Sequence, residues 1–323
     1  MSDSSRAADA DPRLGRTQGA AVIYVVMAVA VASTWSWASL PIAIALAVGF
    51  SEIAPIRRAR GWPVAISVTI AGALAIVAAG FMTDSPASFA VLVALTSFGA
   101  GLCARWGLYA VASVVPLLLV ILSAPNSPVA ALPRAGALIV GGLLGTMLMG
   151  ILRISPPTKE ITVPKRAAML IGLALAIVVG VTTFLSVEYE VDRGHWIPIS
   201  VLMIAVPSLK ATEDRSLLRT TATVAGAVVA SIVAIVVTHD VVVIALALLT
   251  AVLSVVVAKT YYWRILFITV SVVLYAGGGE DSHEAALIRV GATIIGAGIV
   301  LATARAILWI DHWLDEESIM PQE

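Results

Sequence analysis

Two segments of the chain carry the same polar stripe, Arg-x-x-x-Thr-x-x-Gly, at 219–226 and again at 289–296. Steps of four and three residues place the members of a stripe on one face of a helix. A guanidinium group suits carboxylates because its planar fork donates two parallel hydrogen bonds. Arginine is costly inside hydrocarbon unless it faces water, a partner or a ligand, so a buried arginine is a candidate functional residue. The stripes therefore predict that an organic anion is bound by Arg219, Thr223, Arg289 and Thr293.

Three further residues extend this candidate site. Arg215 precedes Arg219 by four residues, and Lys210 adds a positive charge on the cytoplasmic side that would attract an anion. Trp196 has a ring able to stack on an aromatic solute, although its position also fits an interfacial aromatic belt. The predicted substrate-binding set is therefore Arg289, Arg219, Arg215, Thr293, Thr223, Trp196 and Lys210.

The basic residues and glycines of this set also have structural interpretations. Arg215 and Arg219 lie near the predicted cytoplasmic boundary, where basic side chains anchor a helix and extend to the interface. A salt bridge from Arg289 to Glu284 or Glu280 would explain the position of this arginine equally well, without any ligand. Small residues at helical spacing let helices approach closely, which explains the glycines without a solute.

The chain offers little for catalysis. No Asp or Glu lies in the middle of an apolar stretch, so a carboxylate proton relay has no components. Cys103 is the only cysteine, which excludes an intrachain disulfide and a thiolate metal site. The sequence has no phosphate-binding loop, no nucleophile with a base and no metal-ligand cluster. We therefore expect that the protein is not an enzyme and that it binds no cofactor and no metal. The net charge of +0 also indicates no basic surface for binding nucleic acid.

Apolar helices must position the polar residues. Hydrophobic residues make up 60% of the chain and charged residues 12%, and the mean hydropathy is +1.00, far from the composition of soluble domains. A helix needs about 17 to 25 apolar residues to cross about 30 Å of hydrocarbon, and continuous runs favour helices over a barrel. About twelve spans are predicted, at 18–34, 38–54, 63–82, 88–104, 107–124, 135–153, 167–187, 194–210, 218–238, 241–257, 260–278 and 286–308.

Basic residues orient these spans, because lysine and arginine near span ends stay in the cytoplasm. With a cytoplasmic N-terminus, only Arg134, Arg193 and Arg289 of the 20 Lys and Arg residues fall on the outer side. Both termini are therefore predicted to be cytoplasmic. Ala28-Val29-Ala30 resembles a signal-peptide cleavage site, but we expect the first span to be retained because 167–187 is its counterpart.

An internal repeat divides the chain into two halves. Residues 134–141 recur at 289–296, an offset of 155 (289 minus 134), and this offset also carries Arg60 onto Arg215. Because the first unit holds an even number of spans, the second enters the membrane in the same orientation, and solute pathways in such proteins tend to form between the halves. The predicted segments are a disordered cytoplasmic tail (1–17), a first six-span repeat (18–153), a cytoplasmic linker (154–166), a second six-span repeat (167–310) and a cytoplasmic tail (311–323).

A family resemblance rests on three motifs: Trp196-Ile-Pro198, Arg215-x-x-x-Arg219 leading into a helix with Gly226, and Arg289-x-Gly-x-Thr293-x-x-Gly296. They resemble the membrane module of the fusaric acid resistance-like family (FUSC), the aromatic acid exporters. The resemblance is clearest over 190–310 and extends to 20–155 through the repeat. It implies a bacterial inner (plasma) membrane protein that moves aromatic or other organic carboxylates outward. The chain is more distantly similar to plant malate-channel membrane domains, and unlike the larger exporters it has no soluble domain between its halves.

The sequence thus predicts an all-α polytopic bundle of two parallel six-helix repeats that acts as a transporter or channel for organic carboxylate anions. Lys210, Arg215 and Arg219 would attract the anion and Arg289 would pass it outward, along a pathway between the halves. The alternative is a non-transporting membrane scaffold or an accessory subunit of an envelope-synthesis or transport complex. The expected partners are the lipid bilayer, a small organic anion, and further copies of the chain or a membrane partner protein.

Overall fold

A computed structural model describes residues 62–82, 85–122, 128–151, 162–191, 193–237, 239–256, 260–277 and 282–317. Within these ranges the chain is helical and forms no strand, which confirms the all-α prediction. The first two predicted spans, the N-terminal tail and the greater part of the 154–166 linker lie outside the described residues. Arg60 and the Ala28-Val29-Ala30 motif lie outside them as well.

The described helices are α1 (Trp62–Gly80), α2 (Pro86–Cys103), α3 (Tyr109–Ala112), α4 (Val114–Leu122), α5 (Pro128–Ile151), α6 (Lys165–Glu188), α7 (Trp196–Ile204), α8 (Leu209–Val236), α9 (Asp240–Val256), α10 (Tyr261–Gly277) and α11 (Ser282–Glu317). A short 3₁₀ helix (Ala104–Trp106) follows α2 and ends at Gly107, whose φ of 69° is a conformation that favours glycine. α11 continues to Glu317, so the C-terminal tail predicted at 311–323 begins as helix.

Four of the described helices are long and apolar enough to cross a membrane. They are Pro86–Trp106, Lys165–Glu188, Ala211–Val236 and His283–Trp309, with mean hydropathies of 1.9, 2.5, 1.7 and 2.0. Each corresponds to a predicted span. The protein is therefore a multi-pass membrane protein, whereas the count of twelve spans stays a prediction.

The predicted eighth span, 194–210, is wrong as one continuous helix. α7 ends at Ile204, residues 205–208 are not helical, and α8 begins at Leu209 instead of near 218. The nine residues of α7 rise only about 14 Å, less than half of the hydrocarbon thickness. Pro207 lies within this non-helical segment and accounts for the break. The physical reason is that proline lacks an amide hydrogen and its ring clashes with the preceding turn.

The predicted fifth span, 107–124, is also interrupted. α3 ends at Ala112, Ser113 forms a turn, and α4 begins at Val114. Pro116 accounts for the interruption, because its ring would clash with the carbonyl of Ala112, four residues earlier, in a continuous helix. Proline is tolerated in the first turn of α4, where an amide hydrogen has no helical acceptor in any case.

α2 and α6 form the closest helix pair. A Cβ added at Gly101 would lie 2.3 Å from the Cα of Gly172, so the two backbones touch at this point. A Cβ added at Gly180 would lie 2.9 Å from the Cβ of Ala94, which shows that the helices run antiparallel. Since α2 lies in the predicted first half and α6 in the second, this seam joins the halves without room for a solute.

α7 lies in the middle of the second half. It packs mainly against α11 and α6 and also contacts α4 and α8. Its residues belong to a large apolar cluster that also contains residues of α1, α2, α4, α6, α8, α9, α10 and α11, and a smaller cluster joins α1, α4 and α5. The short broken helix is therefore enclosed by longer ones, which is the arrangement that tolerates a backbone break at membrane depth.

Candidate functional site

The two predicted stripes lie on neighbouring helices, and both helices meet α7. The stripe at 219–226 lies on α8 and the stripe at 289–296 on α11. α7 carries a third stripe with the same steps of four and three residues, at Trp196, Ser200 and Met203. Of these three residues, only Trp196 was among the site residues predicted from the sequence. The repetition of one spacing in three helices is the signal that could have revealed the other two.

Arg289 of α11 lies over the indole ring of Trp196. Its guanidinium carbon is 5.0 Å from the ring centroid, and both side chains are 5% exposed. The guanidinium of Arg193 also lies 5.8 Å from this centroid. The ring that the sequence offers to an aromatic solute is thus already in contact with arginine.

Among its described residues, the structure does not contain the salt bridge from Arg289 to Glu284 that the sequence suggested. Glu284 is exposed, and no ion pair joins it to the buried Arg289 in the described part of the chain. Glu280 lies outside the described residues. The Nε of Arg289 is buried and has no hydrogen-bond partner there. Arg289 is therefore held by an aromatic ring, not by Glu284.

Arg219 of α8 is 1% exposed, which contradicts its interpretation as a side chain that extends to the interface. Its Nη2 donates to the Sδ of Met203 at 3.3 Å, whereas Nε and Nη1 are buried without a partner among the described residues. Met203 lies in the last turn of α7, where the helix dipole presents partial negative charge and favours a cation. Arg219 therefore lies at the end of α7, whereas Arg289 lies at its start, beside Trp196.

Two buried hydroxyl groups lie between these arginines along α7 and α11. Ser200 is 0% and Thr293 1% exposed, and neither hydroxyl oxygen has a partner in the described residues. A Cβ added at Gly296 would lie 2.8 Å from the Cβ of Ser200, so α7 and α11 touch one turn below Arg289 and Trp196. Thr223 on α8 is equally buried, at 1% exposure.

Arg215 and Lys210 lie apart from this buried group, toward the start of α8. Arg215 is exposed and its guanidinium carbon lies 5.6 Å from the ring centroid of Tyr261. Lys210 lies in the first turn of α8. The seven predicted residues therefore divide into a buried set on α7, α8 and α11 and a set at the end of α8 that the prediction assigns to the cytoplasm.

The break after α7 is closed by side chains that the sequence analysis missed. The hydroxyl of Thr212 donates to the carbonyl oxygen of Val206 at 3.1 Å and accepts from its amide at 3.3 Å. The hydroxyl of Tyr109 donates to the carbonyl oxygen of Ala205 at 3.0 Å. Proline at 207 signalled the break, but no local pattern indicated which distant side chains would satisfy the freed backbone groups.

A cavity of about 50 Å³ lies beside the end of α7. It is lined by residues of α6, α8 and α11 and by Val201, Ala205 and Val206, with Thr212 and Thr303 as its hydroxyl groups. This volume holds a few water molecules and is too small for an aromatic acid. Neither Arg219 nor Arg289 lines it.

These features define a class, a multi-pass helical membrane protein with buried cations around a broken helix. Residues 175–303 match the model of a family described as "Fusaric acid resistance protein-like". The match confirms the resemblance predicted at 190–310, and it contains all seven predicted site residues. Neither a curated protein nor a solved structure matches the chain. The family match and the apolar helices together indicate a membrane protein of transporter type.

Proposed function

We propose that the protein is a transporter or channel of a bacterial inner membrane that exports organic carboxylate anions, aromatic ones included. The observation that carries this proposal is the pair Arg219 and Arg289. Both guanidinium groups are buried in membrane-crossing helices, and neither pairs with a carboxylate of the described residues. An unpaired buried charge is costly, so its presence is best explained by a ligand of opposite charge.

The positions of the basic residues suggest an order of contact. Arg215 and Lys210 at the start of α8 would collect the anion, and Arg219 would receive it at the end of α7. Arg289 lies at the other end of α7, beside Trp196, and would pass it outward. All of these residues lie in the second predicted half, so we place the pathway along α7 and not between the halves. Movement of a solute past Gly296 then requires α7 and α11 to separate.

We retain twelve spans in two parallel repeats, with both termini in the cytoplasm, as part of this proposal. Helix bounds support it. Adding 155 to the bounds of α1 gives 217–235, within α8, and the same sum for α5 gives 283–306, within α11. For α2 it gives 241–258, which overlaps α9.

Flux in proteoliposomes tests the proposal. Vesicles with purified protein should take up labelled benzoate or a dicarboxylate faster than empty vesicles. Arg289→Gln should reduce the flux at least tenfold, because a buried positive charge on the proposed pathway is lost. Arg305→Gln is the matched control, since Arg305 is exposed and its ion pair with Glu213 at 3.6 Å lies on the surface. Flux equal to that of empty vesicles, or equal losses in both variants, would refute the proposal.

One observation favours the scaffold alternative. The helix contacts at Gly101 and at Gly296 leave no space for an organic acid, and the cavity beside the end of α7 is too small for an aromatic one. A scaffold would copurify with a stoichiometric membrane partner and show no anion flux. Purification in mild detergent followed by mass measurement of the complex separates this alternative from the transporter.

A further inference from the structure

We propose that Ser200, Thr293 and Arg289 form a binding site for a dehydrated monatomic anion, chloride in the cell, where α7 meets α11. The ligand of this site differs from the organic anion of the proposed pathway, and a different experiment tests it. It is a property of the closed helix packing and does not require that any solute crosses the membrane.

Helix register brings these groups together. α7 and α11 run in the same direction, since Trp196 meets Arg289 and Ser200 meets Gly296 further along both helices. Ser200 follows Trp196 by four residues, and Thr293 follows Arg289 by four residues. The two hydroxyl groups therefore occupy the turn of each helix that comes directly after the Trp196–Arg289 contact.

The hydroxyl of Thr293 differs from those of several other helical threonines. Thr182, Thr250 and Thr303 each donate to the carbonyl oxygen four residues earlier, at 2.7, 3.0 and 2.7 Å. That bond is the usual way to satisfy a hydroxyl in a membrane helix. Thr293 and Ser200 make no such bond, although both are buried. Their hydroxyls are thus available as donors to a ligand between the helices.

The charge of the site selects an anion. Among the described residues, the hydroxyls of Ser200 and Thr293 and the Nε of Arg289 have no partner, and all three can donate hydrogen bonds. No carboxylate of the described residues compensates the charge of Arg289. A water molecule would satisfy the hydroxyls but would leave this buried charge without a counterion. A bound anion removes both costs.

The close approach of α7 and α11 limits the ligand's size. A Cβ at Gly296 would lie 2.8 Å from the Cβ of Ser200 and 3.4 Å from the carbonyl oxygen of Ile197. This spacing leaves no room for the carbon skeleton of a benzoate between the helices. A halide has no carbon skeleton and accepts from several donors at once, so it suits these donors better than an organic anion.

Thermal unfolding of the full chain in detergent tests the site. Potassium chloride or bromide is titrated against potassium gluconate at constant total salt. We expect a saturable rise of the unfolding temperature by several degrees with either halide and none with gluconate, because a ligand that binds only the folded state stabilises it. Equal unfolding temperatures in chloride and gluconate would overturn the proposal.

Variants locate the effect. Thr293→Val keeps the side-chain shape and should raise the half-saturating chloride concentration at least tenfold. Thr183→Val is the matched control, because Thr183 is 2% exposed and its hydroxyl also lacks a partner among the described residues. Thr183 lies on α6, three residues beyond the Gly180 that packs on α2. Equal shifts in the two variants would contradict the site.

A direct measurement covers the case in which Thr293→Val fails to fold. Crystals of the wild-type chain in bromide should show an anomalous peak between α7 and α11, and a peak that is absent there refutes the site. Halide stabilisation that persists without benzoate flux would reject the proposed transport function alone.

Discussion

The guanidinium carbon of Arg289 lies 5.0 Å from the ring centroid of Trp196, with both residues buried. This contact joins the first turns of α11 to the start of the broken helix α7. A desolvated cation–π contact stabilises by about 2 kcal/mol or more. Arg289 is thus positioned by a neutral ring, which fixes the side chain without neutralising its charge. A carboxylate in the same place would have fixed it and cancelled the charge as well.

Replacement of Trp196 should be costly because it removes this contact. We expect Trp196→Leu to lower the free energy of unfolding by about 3–5 kcal/mol, from the lost contact and the cavity left behind. Trp106→Leu is the control, since Arg105 lies 5.8 Å from the Trp106 centroid in an exposed pair and its loss should cost about 1 kcal/mol or less. Denaturant unfolding in detergent measures both, and equal losses would show that burial of the Trp196 pair adds nothing.

Arg219 should affect activity and stability in opposite directions. Arg219→Met should abolish anion flux in proteoliposomes while the unfolding temperature stays unchanged or rises. The reason is that an uncompensated buried charge carries a desolvation cost, which an apolar side chain of similar size removes. A structural role for Arg219 predicts the reverse, a destabilised variant whose remaining folded fraction transports normally.

The break after α7 should depend on Thr212. Thr212→Val removes both hydrogen bonds to Val206 and should destabilise the fold by about 1–3 kcal/mol, because a buried amide and carbonyl lose their partner. Thr221→Val is the control on the same helix, since the exposed Thr221 hydroxyl bonds only to carbonyls of its own helix, such as Leu217 at 2.9 Å. Hydrogen exchange at 205–208 should increase in Thr212→Val alone.

The α2–α6 seam should tolerate no side chain at Gly101. Gly101→Ala places a Cβ 2.3 Å from the backbone of Gly172, which forces the helices apart and should cost about 1–3 kcal/mol. Gly99→Ala meets nothing within 4 Å and should be neutral or stabilising, because alanine favours a helix over glycine by about 0.5–1 kcal/mol. Unfolding temperatures of the two variants compared with wild type decide this, and a stable Gly101→Ala variant would contradict the close contact.

Much of the helical framework was predictable from composition and local pattern. The apolar runs near 88–104, 167–187, 218–238 and 286–308 each became a helix long enough to cross a membrane. This works because a chain in hydrocarbon must satisfy its backbone hydrogen bonds locally, so length and apolarity are sufficient signals. Pro207 marked the break for an equally local reason, the missing amide hydrogen. The family resemblance also rested on local motifs, and residues 175–303 confirmed it.

The sequence by itself determined that the protein crosses a membrane, that it is helical, and that arginine stripes lie on α8 and α11. Only the tertiary structure decided what those arginines face. It placed Arg289 on Trp196 and not on Glu284, buried Arg219 against Met203, and left the hydroxyls of Ser200 and Thr293 without a partner in the described part of the chain. The physical reason is the separation of the interacting residues along the sequence. Helix formation depends on neighbours within four residues, whereas these contacts join different helices and depend on how those helices pack.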